Sequence, residues 1–177
     1  MIGGRAVAAD DVVRRVAFQG LVDHHLDRAY RLAGVILGSG EDAADATHDA
    51  VVQAWRSFGR LRDPERFEAW FQRILVNVCR DRLRKRRRQP VTELTLAANV
   101  ATTADYRSVE DRLALDRAFT GLNPDQAITV VLRFHLDLTV DDVAARMGVP
   151  VGTVKSRLHS ALEQLERGLA EPEVIER

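Results

Sequence analysis

The side chains best placed to do chemistry in this 177-residue chain are basic, and they recur at helical spacing. Arg73, Asn77, Arg80, Arg84 and Arg87 follow one another at three- and four-residue steps. Residues 80–88 alone hold seven basic groups against one acid. Guanidinium groups in a row on one helix face suit the repeating negative charge of a nucleic-acid backbone. Arg60 and Arg62 stand in a short loop just ahead of that helix. A cationic surface bordering a loop can track a backbone and capture an unstacked base. A solvated helix end would account for the charge run as well. The stripe extends up through Arg73 and Asn77, however, on a helix whose opposite face carries Phe67, Trp70, Phe71, Ile74 and Val78, so it belongs to a packed element.

A second constellation lies near the C-terminus. Thr139-Val140-Asp141-Asp142 has the form of a capping box, with acids in the first turn complementing the helix dipole. Val140, Val143, Ala144 and Met147 give that helix a narrow apolar face, Gly148 ends it, and Pro150 leads into the next. The following helix is expected to bury Val154, Leu158, Ala161, Leu162 and Leu165. Two short helices joined by a tight Gly-containing turn form a helix-turn-helix, whose second helix enters the major groove. Thr153, Lys155, Ser156 and His159 remain outside the apolar stripe and are able to hydrogen-bond bases or phosphates. Arg157 lies at the margin of the stripe, within reach of either a phosphate or an acid of its own domain. An ordinary helical hairpin with a solvated polar face is the competing reading.

Other chemistry finds little support. No nucleophile–base pair or carboxylate pair has compatible spacing, so no catalytic residue and no enzyme are expected. The single cysteine, Cys79, excludes an internal disulfide and a CxxC-type metal site, and reads as a buried small hydrophobe, with a redox switch as the alternative. His24-His25 has no acidic ligands at metal spacing. No metal and no cofactor are therefore expected. Lys+Arg and Asp+Glu are both 26, so the formal net charge is zero, but the charges are segregated: residues 41–49 carry four acids and no Lys or Arg. Asp10, Asp11, Arg14 and Arg15 interrupt the N-terminus before a secretory apolar core forms. No apolar run approaches the roughly 20 residues of a membrane-spanning helix. A cytoplasmic protein without membrane insertion is expected.

Spacings of three and four dominate throughout, which predicts an all-α chain. Helices are expected over 12–37, with Phe18, Leu21, Val22, Tyr30, Ala33 and Ile36 in the core, and over 42–58 after the Gly38-Ser39-Gly40 break. Along the second helix Thr47, Ala50, Val51, Ala54, Trp55 and Phe58 form an inner face, while Asp45, His48, Asp49, Gln53 and Arg56 form the opposite stripe. Asp63-Pro64 opens a third helix as N-cap and first residue. Residues 90–107, with Pro90 and several Thr and Ala, read as a flexible linker. Helicity resumes near 108, and Asn123-Pro124-Asp125-Gln126 is a strong helix start. The expected organisation is two small helical domains: an N-terminal extension over 1–15, a domain over 16–89, the linker over 90–107, a domain over 108–170 and a tail over 171–177.

These residues resemble a known family. DAADATHDAVVQAW (42–55) is similar to region 2.2, FEAWFQRILVNVCRDRLRKRRR (67–88) to regions 2.3 and 2.4, and LTVDDVAARMGVPVGTVKSRLHSALEQL (138–165) to region 4.2 of the extracytoplasmic-function (ECF) sigma factors. These are the smallest sigma-70-class bacterial transcription initiation factors. His48 stands where the family usually has Gln, and Ala127 where Arg is common. The resemblance implies a factor that binds core RNA polymerase and confers −35/−10 promoter recognition and DNA melting. It implies that Asp45, His48, Asp49, Gln53 and Arg56 dock on the β′ clamp helices, and that the second domain meets the β flap. Arg60, Arg62, Arg73, Asn77, Arg80 and Arg84 would engage the −10 element, with a flipped base near the loop and Asn77. Thr153, Lys155, Ser156, Arg157 and His159 would read the −35 element. The linker would thread toward the active-site and RNA-exit channels. An anti-sigma factor is the implied regulator, and nucleoid association the implied location of the active protein.

Two other functions fit parts of the chain. A stand-alone helix-turn-helix regulator would bind palindromic DNA as a dimer without polymerase. A non-DNA adaptor would use the basic face on RNA or on an acidic protein. The helix over 42–55 that resembles region 2.2 fits only the polymerase-binding reading.

Overall fold

A computed structural model describes residues 3–88, 115 and 117–170, with side chains from residue 11 onward. The expected linker over 90–107 and tail over 171–177 lie outside the described residues. Helix α1 spans Gly3–Leu37, so the segment expected as a separate N-terminal extension runs unbroken into the first helix of the domain. No Gly or Pro interrupts residues 5–19, and Ala is frequent there, which favours continuation. Gly38 stops the helix at φ 70°, its N–H reaching the Gly34 carbonyl at 2.9 Å. The Ser39 side chain then accepts from Asp42 N at 3.3 Å and starts α2, Gly40–Ser57.

α2 buries Ala43, Ala46, Thr47, Ala50 and Ala54 and packs on both α1 and α3, the small side chains allowing close approach. The Thr47 hydroxyl satisfies itself on the Ala43 carbonyl at 2.7 Å. A 3-10 turn, Phe58–Arg60, leads to Asp63, which caps as expected. The residues after it first form a second 3-10 turn, Pro64–Arg66, and the regular helix α3 occupies Phe67–Arg88. Phe67 is fully buried at the centre of the domain, with ring centroids 5.6 Å from Phe71, 5.7 Å from Trp70, 5.6 Å from His25 and 6.2 Å from Phe18. Trp70 and Ile74 are only half-buried; Leu75, Val76, Cys79 and Leu83 complete the inner face instead. Tyr30, expected in the core, is 44% exposed, because Ala29, Leu32 and Ala33 take the inward positions of α1.

In the second half, residues 117–121 are helical and Asn123 closes a full capping box. Gln126 N donates to its side chain at 3.0 Å, and the Gln126 side chain accepts from Asn123 N at 2.9 Å. Helix α4, Pro124–Val130, widens into a π-helical turn, Val131–His135, closed by Leu136 N on the Val131 carbonyl at 3.3 Å. Helix α5, Val140–Met147, is capped by Thr139 and stopped by Gly148 in the left-handed region. Helix α6, Val151–Ala170, packs on α4 and α5 through Val154, Ala161 and Leu165. Leu162, expected with them, is 46% exposed: one residue beyond Ala161, it is turned about 100° off the buried stripe. The described residues contain no strand, and no helix among them is long and apolar enough to cross a membrane.

The two halves touch. α3 packs its outer, basic side against α4 and α5.

Candidate nucleic-acid interface

The expected −10 surface divides into an open part and a covered part. Arg60 and Arg62 project from the loop ahead of α3 and are exposed, as is Arg73. Asn77 is half-buried. Arg80 is turned into the seam between the halves, its side chain only 14% exposed. There it stands 3.0 Å from Asp125 and donates to the Met147 carbonyl at 3.1 Å. Removal from water lowers the Arg80 pKa below the ordinary arginine value, opposed by the Asp125 charge. Arg84 Nη2 meets the other Asp125 oxygen at 2.8 Å, and Arg87 donates to the Leu122 carbonyl.

The expected −35 surface is carried by the first turns of α6, whose N-terminal turn holds no acid. Lys155, Ser156 and His159 are exposed on one side, and Thr153 is half-buried beside them. The Ser156 hydroxyl donates to the Thr153 carbonyl at 3.0 Å, and His159 lies 3.5 Å from Glu163. Arg157 turns inward and meets Asp125 at 3.3 Å, the second of the two alternatives its margin position allowed.

On α2, the acidic stripe faces out but is organised from α3. Arg82 lies 2.5 Å from Asp49, 3.6 Å from Asp45 and 3.9 Å from Asp42. Arg86 pairs with Asp42 and donates to the Leu37 carbonyl at 3.0 Å. His48, Gln53 and Arg56 are exposed along the same helix. The far end is fixed by Arg14, whose guanidinium lies 4.9 Å from the Trp55 ring centroid and donates to its carbonyl at 3.3 Å.

Two residues that matter here escaped the sequence reading. Asp125 was visible only as part of a helix start, and Arg82 only as one charge in a basic run. The run does hold a signal for the second: Arg82 and Arg86 are four apart and off the Arg73–Arg80–Arg84 stripe, so they must serve another face. Cys79 is buried and its thiol pKa is pushed up to about 12 by desolvation, as a packed small hydrophobe requires and a redox switch does not. Among the described residues, no group of three His, Cys, Asp or Glu side chains could hold a metal ion.

Comparison with known proteins places both halves. Residues 21–89 match Sigma-70 region 2, and residues 112–165 match Sigma-70, region 4. The chain is 36% identical over 154 residues to the ECF RNA polymerase sigma factor SigM of Mycobacterium tuberculosis, an alignment covering 86% of this chain and 77% of SigM. It is 27% identical over 166 residues to the ECF RNA polymerase sigma factor SigW of Bacillus subtilis, covering 86% and 89% of the two chains. Among solved structures, the fold is similar to the sigma factor RpoE in complex with the anti-sigma factor NepR from Bartonella quintana. There the TM-score is 0.65 at 24% identity, over 90% of this chain and 98% of that one. CnrH in complex with the cytosolic domain of CnrY gives a TM-score of 0.58 at 24% identity, over 90% and 96% of the two chains.

Proposed function

The chain belongs to the ECF RNA polymerase sigma factors and is a transcription initiation factor, and from that premise we propose how its surfaces divide the work. Residues 16–89 form the region 2 domain and residues 108–170 the region 4 domain. The α2 stripe of Asp45, His48, Asp49, Gln53 and Arg56 docks on the β′ clamp helices of core polymerase, and the region 4 domain meets the β flap. Arg60 and Arg62 flank the point where a melted −10 base leaves the stack, with Asn77 beside it. Arg73, Arg80 and Arg84 neutralise the phosphates on either side. Thr153, Lys155, Ser156, Arg157 and His159 meet the −35 element in the major groove.

The observation that carries this reading is the α2–α3 pair, which presents an acidic stripe and a basic stripe from two packed helices joined by the Arg82 ion pairs. A dimeric stand-alone regulator has no use for the first, and family membership does not favour that alternative. The protein acts by binding rather than by bond chemistry. It works in the cytoplasm, joins the nucleoid when active, and is held inactive by an anti-sigma factor.

Co-elution with core bacterial RNA polymerase, followed by run-off transcription from a promoter library, tests the proposal. Capture with selective initiation is the expected result. Failure of capture, together with tight duplex binding by the protein alone, would overturn it in favour of the stand-alone regulator.

A further inference from the structure

One carboxylate holds arginines from both DNA-facing helices. Asp125, in the first turn of α4, meets Arg80 at 3.0 Å and Arg84 at 2.8 Å from α3, and Arg157 at 3.3 Å from α6. The Asp125 side chain is 18% exposed and Arg80 14%, so these two sit in the seam, whereas Arg84, 50% exposed, reaches in from its rim. Three guanidinium groups around one carboxylate leave an excess of positive charge. The hydrogen bonding is incomplete as well: Arg80 Nε, Asp125 Oδ1 and Arg157 Nη1 are buried without an aligned partner. Around this cluster the seam is closed by further hydrogen bonds between α3 and the second half. Arg80 reaches the Met147 carbonyl, Arg87 the Leu122 carbonyl, and Gln72 accepts from Arg146 Nε at 2.6 Å.

The geometry has a consequence for promoter binding. Elements centred about 25 base pairs apart are roughly 85 Å apart along B-DNA at 3.4 Å per pair. A conformation in which Arg80 and Arg157 share one carboxylate cannot reach both. A carboxylate receiving several guanidinium groups is also the closest protein counterpart of a backbone phosphate.

We infer that Asp125 is an internal phosphate mimic. In the free chain it occupies Arg80 and Arg84 of the −10 helix and Arg157 of the −35 helix, while Lys155, Ser156 and His159 stay exposed, and DNA phosphates displace it when the two halves separate. This rests on the assignment of α3 and α6 as DNA-binding helices. It adds that one acid couples these arginines, so neither set is released without the other.

The test uses the full chain without polymerase, so its outcome is separable from that of the transcription assay. Small-angle scattering reads the radius of gyration, and fluorescence anisotropy reads binding of a fluorescein-labelled 20-nucleotide single strand of mixed sequence. Asp125→Asn is expected to enlarge the radius of gyration at 50 mM KCl and to tighten DNA binding about tenfold. Circular dichroism checks that helix content is retained. A second variant leaves α4 untouched: Gln72→Cys with Arg146→Cys, bridged across the seam by a short bis-maleimide, is expected to weaken DNA binding at least tenfold. An Asp125→Asn chain with unchanged dimensions, an expanded one with no gain in DNA affinity, or a bridged chain that binds DNA as well as the unbridged one would each overturn the inference.

Discussion

Arg82 of α3 stands 2.5 Å from Asp49 of α2, and the same guanidinium reaches Asp45 at 3.6 Å. The acids proposed to capture polymerase are therefore held in place from behind by the helix that carries the basic stripe. Asp45 and Asp49 remain 67% and 48% exposed, so a partner can still reach them. Reversing both, Asp45→Arg with Asp49→Arg, should weaken capture of core polymerase by on the order of tenfold or more, about 1.4 kcal/mol per decade. The reversed charges would stand against the half-buried Arg82, so circular dichroism and thermal unfolding accompany the titration to show that the fold is retained. Unchanged affinity in a co-elution titration would remove α2 from the interface.

Lys155 and Arg157 should separate in their effects. Lys155 is exposed on α6, and Lys155→Ala should lower −35-dependent run-off transcription while leaving polymerase capture and thermal stability unchanged. If it reads a base edge, discrimination falls by about 1–3 kcal/mol. Arg157 is drawn to Asp125, so Arg157→Ala alters the seam as well as the −35 surface. The double variant should lose promoter selectivity and keep capture. Loss of capture in the double variant would contradict the domain assignment.

Phe67 is the pin of the N-terminal domain, fully buried among Phe18, His25, Trp70 and Phe71. Phe67→Ala should cost about 3–5 kcal/mol, the usual penalty for emptying an aromatic site. Chemical denaturation followed by tryptophan fluorescence would read it directly, since Trp70 lies beside the cavity created. A loss under ~1 kcal/mol would mean that the cluster repacks freely.

Gly148 sits at φ 66°, and a Cβ there would lie 3.0 Å from the Arg73 guanidinium. The end of an arginine side chain moves aside easily, whereas the left-handed backbone does not change with its neighbours. Gly148→Ala should therefore cost roughly 1–2 kcal/mol from the backbone alone. Adding Arg73→Ala should not restore it. Restoration in an equilibrium unfolding series would show that the steric contact, not φ, sets the cost.

His25 predicts an acid-sensitive fold. Burial lowers its pKa, with Glu68 opposing and His24 and Arg28 reinforcing the shift. His135, in the π-helical turn, is lowered by burial too. The unfolded chain therefore takes up protons more readily than the folded one. The stability is fully present above the ordinary histidine value of about 6.5 and is lost progressively as the pH falls below it. His25→Phe keeps the ring against Phe67 and removes the titration, so its unfolding free energy should fall less steeply between pH 7.5 and pH 5.5. Equal slopes would assign the acid sensitivity to other groups.

Much of this was legible along the chain because it is local physics. The Asn123 capping box, the Thr139 cap, the Gly148 stop and the Asp63-Pro64 start are decided within four residues, and each lies where its residues require. The aromatic inner face of α3 and the acid stripe of α2 follow from a period of 3.6. Tyr30 and Leu162 were misplaced for a related reason: both lie at the edge of an apolar stripe, where periodicity cannot say which way a side chain leans.

The sequence by itself determined the helical elements, the identity of the charged faces and the family. Only the tertiary structure decided which charges face each other. Arg82 and Arg86 serve α2 while Arg80 and Arg84 serve the seam, although all four stand in one basic run. Asp125 gathers partners from 41 to 45 residues before it and 32 after it. Helical periodicity fixes the direction in which a side chain leaves its own axis, whereas an ion pair depends on how separate axes are placed, and that placement comes from the buried faces meeting in three dimensions.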